Sequence, residues 1–190
     1  MKKILLILLL IFSGLATSQQ KFEKEYRIKQ NEAPQNSIDF INNINFKNKI
    51  KWYVEESNDG KSFEAKTCHL KYFYSIEFNE QGNLIDVEKK VRLQELSKEV
   101  QQKLKKEISK RFKKFKFKKI QIQYKGLKSE VNKVFQNISR DQIKVRVFYE
   151  IIVKGKKDKQ HALYEMTFDE KGNFLKELKF KSSNSLNLEF

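Results

Sequence analysis

Tyr74-Ser-Ile-Glu-Phe-Asn-Glu-Gln-Gly-Asn-Leu-Ile85 returns, ninety positions later, as Tyr164-Glu-Met-Thr-Phe-Asp-Glu-Lys-Gly-Asn-Phe-Leu175. Tyr74/Tyr164, Phe78/Phe168, Glu80/Glu170, Gly82/Gly172 and Asn83/Asn173 are identical pairs, and Asn79 faces Asp169. Apolar side chains alternate up to the turn in both copies, Tyr74, Ile76, Phe78 and Tyr164, Met166, Phe168, which is the period of a half-buried strand. The Asn/Asp-x-x-Gly that follows predicts a tight turn closed by a left-handed glycine, with a bulge beside it. A second strand then returns. The chain uses one antiparallel hairpin twice.

Working outward, each copy is preceded by similar elements. Pro34 suits a helix start, and Ile38, Phe40, Ile41 and Ile44 give that helix an apolar face. Ile50, Trp52 and Val54 alternate as a strand, Asn58-Asp59-Gly60 is a hairpin turn, and Phe63, Ala65 and Thr67 form the next strand. In the second half, Leu93, Leu96, Val100, Leu104, Ile108, Phe112 and Phe115 recur at helical spacing. Residues 119–124 alternate like residues 49–53, and Ile143 to Val153 is the longest alternating run. Lys154 to Lys159 predicts a turn, and Ala162 leads into the repeated hairpin. The second half holds about twenty additional residues, within the range of ordinary insertions. Most lie at 126–141, where Val131, Val134, Phe135 and Ile138 have helical spacing.

The expected architecture is α+β, two tandem repeats, each a helix packed on a four-stranded antiparallel sheet. Repeat 1 spans 34–91 and repeat 2 spans 92–181 with the inserted segment 126–141. Residues 19–33 read as a linker and 182–190 as a tail. The units either share one continuous sheet or form two lobes joined near Arg92. Beyond the turns the copies differ in parity, Ile85 and Val87 against Phe174, Leu178 and Phe180, so their second strands should not pack alike.

Lys2 and Lys3, an apolar run from Ile4 to Phe12 and the small residues 13–18 predict a secretory signal peptide over 1–18. The run is too short to span a bilayer. The expected location is therefore outside the cytoplasm, periplasmic or extracellular. The 190 residues hold 40 Lys+Arg against 24 Asp+Glu, net +16. Only five of the basic residues are arginine. Lysine is a hydrated point charge rather than a shaped anion clamp, so nucleic acid is not an expected partner.

Cys68, the only cysteine, cannot form an internal disulfide and reads as a small buried strand residue. His69 and His161 lack ligand-like spacing, so no metal and no cofactor is expected. Glu80 and Glu170 sit in solvated turns, without the burial that tunes catalytic carboxyls, and no phosphate loop or nucleophile elbow is present. The expectation is no enzymatic activity.

The densest charge is at Lys98–Lys119, eleven basic residues against Glu99 and Glu107. With Phe112, Phe115 and Phe117 between them, it has the composition of a polyanion- or membrane-surface segment. Its structural alternative is a helix whose outer face is simply solvated. The residues expected to contact a partner are Lys106, Lys110, Arg111, Lys113, Lys114 and Lys116, with Trp52, Tyr53 and Tyr149 on the strands.

The proline-started helix with Phe40-Ile41, the phenylalanine before an isoleucine-led strand, and the closing Tyr-x-[Ile/Met]-x-Phe-[Asn/Asp]-x-x-Gly hairpin resemble the PepSY-like group. That group includes exported proteins described as β-lactamase-inhibitor-like. The resemblance spans Pro34 to Phe180 as two copies and implies an envelope address, a helix-on-sheet fold and no catalysis. Together these readings predict an exported, non-enzymatic binding or inhibitor-like module for an acidic protein or envelope polyanion, with peripheral membrane contact as a variant. The alternative is a structural accessory domain without such a partner.

Overall fold

The computed structural model describes residues 20–136, 138, 142–157 and 160–181. The expected signal peptide and tail lie outside these residues. In chain order the elements are β1 (Gln20–Lys21), β2 (Glu23–Ile28), α1 (Gln35–Ile44), β3 (Lys51–Ser57), β4 (Gly60–His69), β5 (Tyr72–Phe78) and β6 (Leu84–Lys90). There follow α2 (Lys98–Arg111), β7 (Phe115–Lys125), the short α3 (Lys128–Asn132), β8 (Arg146–Lys157), β9 (Gln160–Asp169) and β10 (Phe174–Phe180).

All ten strands form one mixed sheet, in the order β1-β10-β9-β8-β7-β6-β5-β4-β3-β2. This overturns the expected α+β pair of repeats, each with its own four-stranded antiparallel sheet. β6 and β7 are hydrogen-bonded neighbours from Val87↔Tyr124 to Lys90↔Gln121, so the ladder crosses the boundary that would have separated two units. Among the described residues the fold is mostly strand with three short helices, and β1 pairs parallel to β10.

Residues 19–33, expected as a linker, instead supply both ends of the strand order. β1 is hydrogen-bonded to β10 and β2 to β3, with only Phe22 between them. Two sheet edges that meet within three consecutive residues mean that the sheet closes on itself there, the barrel solution to unpaired edges. Asn58, in the β3–β4 turn, holds the closure: its Oδ1 accepts the Phe22 N–H at 2.9 Å and its Nδ2 donates to the Gln20 carbonyl at 2.8 Å. Polar composition concealed this segment. Its alternation is of charges, because one face of the closing strand looks inward.

Both larger helices cover one face of the sheet. Ser97 caps α2 by accepting the Val100 N–H, and Val100, Leu104 and Ile108 pack on Ile120, Ile151, Val153, Tyr164, Met166 and Phe168. The shorter α1 buries Ile38, Phe40 and Ile41 against Trp52, Ala65, Ile76, Phe78 and Val87. Val131 and Phe135 from the inserted segment complete that cluster, Phe135 meeting Phe46 and Tyr74 edge-on. The insertion thus covers core that the ten-residue helix leaves open.

The two hairpin turns are superimposable in chemistry. Asn79 Oδ1 accepts the N–H groups of Gln81 and Asn83, and Asp169 Oδ1 those of Lys171 and Asn173. Gly82 and Gly172 stand at φ 75° and 77°. Each is followed by a bulge that skips Ile85 or Leu175. Beyond it, Val87 lies opposite Ile76 and Glu177 opposite Met166, so equal turns lead into unequal packing. A Cβ at Gly82 would lie 2.9 Å from the backbone nitrogen of Ser37, whereas at Gly172 the nearest atom is Lys103 Cβ at 3.2 Å. Gly172→Ala should therefore cost about 1 kcal/mol, the usual left-handed penalty, and Gly82→Ala about 3 kcal/mol or more. Urea unfolding of the two variants checks this ordering.

Candidate functional site

The opposite face of the closed sheet lines a cavity of about 660 Å³. Its walls come mostly from alternate positions of β1 through β9 that face away from the core, joined by Asn48, Lys49, Thr67 and Tyr74. Strand alternation that sends Val54, Phe63, Ile76 and Val87 toward α1 sends Glu55, Glu64, Glu77 and Asp86 inward. In total nine carboxyls line the cavity: Glu23, Glu25, Glu55, Glu64, Glu77, Asp86, Glu88, Glu150 and Glu165. Six lysines accompany them. A chain of net +16 has a net acidic interior.

Two lysines are internal counter-ions. Lys66 pairs with Glu25 and, at 3.0 Å, with Glu64, which also accepts the Ser75 hydroxyl. Lys21 pairs with Glu165 and, at 3.0 Å, with Glu23. Burial lowers the pKa of both ammonium groups, but the surrounding carboxylates outweigh it and hold them above their ordinary range. Along β6 and β7, Gln121 Nε2 donates to Glu88 at 2.7 Å and Gln123 Nε2 to Asp86 at 3.1 Å. Lys125 reaches Asp86 from the outside at 3.3 Å.

The remaining carboxyls are crowded. Burial, then the neighbouring Glu23 and Glu77, push Glu55 up to about 10. Burial is also the first cause for Glu77, raised to about 7. Asp86 and Glu150 are held well above the carboxylate range by burial and by adjacent acids, and Glu88 is raised chiefly by burial. Glu23 goes the other way: burial opposes its ionisation, but Lys21 and a hydrogen bond shared with Glu55 favour it. The Glu23–Glu55 pair therefore keeps one proton across neutral pH. Such a site can hold positive charge and exchange protons.

Of the residues expected at a contact surface, Tyr53 is in this cavity, its ring 4.8 Å from Lys66 Nζ. Trp52 is 3% exposed and belongs to the core beneath α1, so it cannot meet a partner. Tyr149 is half-buried against the core under α2. Arg111 is tied to Glu107 at 2.8 Å and lies 3.6 Å from the Phe174 ring centroid; Lys110 also pairs with Glu107. Lys106, Lys113, Lys114 and Lys116 are exposed. Lys114 and Lys116 join Lys154, Phe115 and His161 around a shallow depression of about 260 Å³.

His69 is a packing residue: its Nε2 lies 2.9 Å from the Phe135 carbonyl and its ring contacts Phe46 and Tyr74. His161 is exposed on β9 opposite Lys156. Cys68 is a free, half-buried thiol on the cavity wall. Among the described residues, no three His, Cys, Asp or Glu side chains are grouped to hold a metal ion. Sequence reasoning missed the cavity acids because it treated the polar strand face as solvated. Their signal was present: in a lysine-rich chain, Glu64, Glu77, Asp86 and Glu88 all fall on inward positions of β4 to β6.

No family model and no curated protein matches the sequence. Two solved structures resemble the fold. One is a DUF2874 family protein from Bacteroides ovatus, 15% identical, with a TM-score of 0.53 over 77% of this chain and 87% of the other. The second, from Bacteroides eggerthii and provisionally described as periplasmic, is 13% identical, with a TM-score of 0.49 over 77% and 88%. At these identities the likeness is one of fold. Neither structure speaks to the PepSY-like or β-lactamase-inhibitor-like resemblance in particular. What this chain is similar to is the DUF2874 fold.

Proposed function

We propose that the protein is an exported, non-enzymatic binding module that presents a lysine-rich exterior to an acidic macromolecule of the cell envelope. One observation carries this reading: folding turns nine of the 24 acids into the cavity with only six of the 40 basic residues. Outside the cavity lining the described residues hold 30 basic against 12 acidic side chains, so the exterior they form is more positive than the net charge indicates. Lys105, Lys106, Lys113, Lys114, Lys116 and Lys118 are exposed along α2 and into β7. Lys114, Lys116 and Lys154 come together around the shallow depression, where like charges add. The signal-peptide reading and the PepSY-like resemblance support the envelope address and the absence of catalysis.

Binding of this kind is screened by salt. The protein should be retained on immobilised poly-L-glutamate at about 50 mM salt and released by about 500 mM, across which the screening length falls roughly threefold. Replacing Lys114, Lys116 and Lys154 together by glutamine should weaken retention about tenfold without changing stability. Retention indifferent to salt and to these lysines would favour the accessory-domain reading.

A further inference from the structure

Inside the cavity two acceptors have no donor. Gln121 is 3% exposed; its Nε2 is committed to Glu88, while its Oε1 meets no hydrogen-bonding group among the described residues. Asp86 is 1% exposed and its Oδ1 is likewise unmatched. A buried polar atom left so is unfavourable unless a partner arrives. Both lie on the cavity wall. Glu55, Glu77, Glu88 and Glu150 beside them have no lysine within ion-pair distance among the described residues. A partner that donates hydrogen bonds and carries positive charge would satisfy both acceptors and displace the protons that the crowded acids hold.

The other side of the same cavity has the opposite character. Lys49 and Lys51 are exposed wall residues, and with them stands Phe73, the most solvated phenylalanine of those exposed at 64%. A simple polycation would be repelled at these lysines. A ligand with an anion at one end and an ammonium at the other is matched by both, and its methylenes can lie on Phe73 and Tyr53.

We propose that this cavity is a binding site for a small zwitterionic amine. The ammonium group is held by Gln121 Oε1, Asp86 Oδ1 and the adjoining carboxylates, and the anionic group by Lys49 and Lys51. The inference is independent of any acidic partner bound by the exterior. Calorimetric titration of the protein with 6-aminohexanoate, hexylamine, hexanoate, 1,6-diaminohexane and Mg²⁺ tests it. The expected result is binding of 6-aminohexanoate at least about tenfold tighter than that of each other probe, the scale of one buried charged hydrogen bond. Gln121→Leu should lose it. A Lys49→Gln/Lys51→Gln variant, altered only at exposed positions, should weaken 6-aminohexanoate about tenfold and leave hexylamine unchanged. Equal or tighter binding of the diamine, hexanoate or Mg²⁺, or no binding of any probe, overturns the proposal.

Discussion

Stability should fall as pH rises from about 5 to 8, and Glu77→Gln should remove part of that fall. Glu77 has an ordinary value of 4.5 and is raised to about 7 in the fold, first by burial and then by Glu88 and Glu64, although the Ser62 hydroxyl stabilises its anion. Between those values the folded protein keeps a proton that the unfolded chain has released. Stability from this group is complete below about 4.5 and is lost as pH rises toward 7. The loss is on the order of 3 kcal/mol above that point. Glu55, raised to about 10, loses stability over the same range and carries the trend on into the alkaline range. Exterior acids work in the other direction. Glu107 and Glu130 are lowered mainly by hydrogen bonds from lysines beside them, so their contribution disappears as pH falls through their folded values. The optimum should lie near pH 5. Urea unfolding of wild type and Glu77→Gln at pH 5 and 8 should give curves that nearly coincide at pH 5, with the variant more stable at pH 8. A wild type most stable at pH 8, or a variant destabilised there, contradicts this assignment.

Gly155→Ala should be among the most damaging single substitutions in the chain. Sequence composition places this glycine in a turn, but β8 continues through it to Lys157 and pairs it with Ala162. A Cβ there would stand 2.3 Å from Cδ1 of Phe112 and 2.6 Å from its Cε1. Phe112 is 1% exposed and packs on Tyr164 with ring centroids 4.7 Å apart, so the ring has nowhere to go. Overpacking of this kind costs about 3 kcal/mol or more when a rigid ring must shift. Phe112→Leu alone should also destabilise, by about 1–2 kcal/mol, but in the Gly155→Ala background it should restore stability. Additive losses in that double-mutant cycle would show that the glycine serves something other than the ring's approach.

Strand periodicity made the hairpins, the core-facing sides of the strands and the stripe of α2 legible, because alternation and helical spacing are properties of the chain itself. Closure was not legible. β1 and β2 set only Ile28 against the core, too little to announce them, and their pairing with β10 and β3 depends on contacts across the whole chain. Whether the repeats share one sheet or form two lobes stayed open for the same reason: nothing local at Val87–Lys90 tells a sheet edge from a continuing ladder. The contact residues followed this divide. Lys106, Lys113, Lys114 and Lys116 are exposed as their positions suggested, while Trp52 obeyed strand alternation and went to the core. The cavity was invisible because a polar face reads as solvated until the sheet is known to close around it.

The sequestration of acid inside a closed sheet is tested most directly by carbon-13 NMR titration of the side-chain carboxyls in the folded protein, with Glu55→Gln and Glu77→Gln for assignment. The structure predicts that Glu55 and Glu77 still hold protons at or above pH 6.5, while Glu99, Glu107 and Glu130 titrate below the ordinary 4.5. A spectrum in which every glutamate titrates near 4.5 would mean that the inward face is solvated and the sheet does not close.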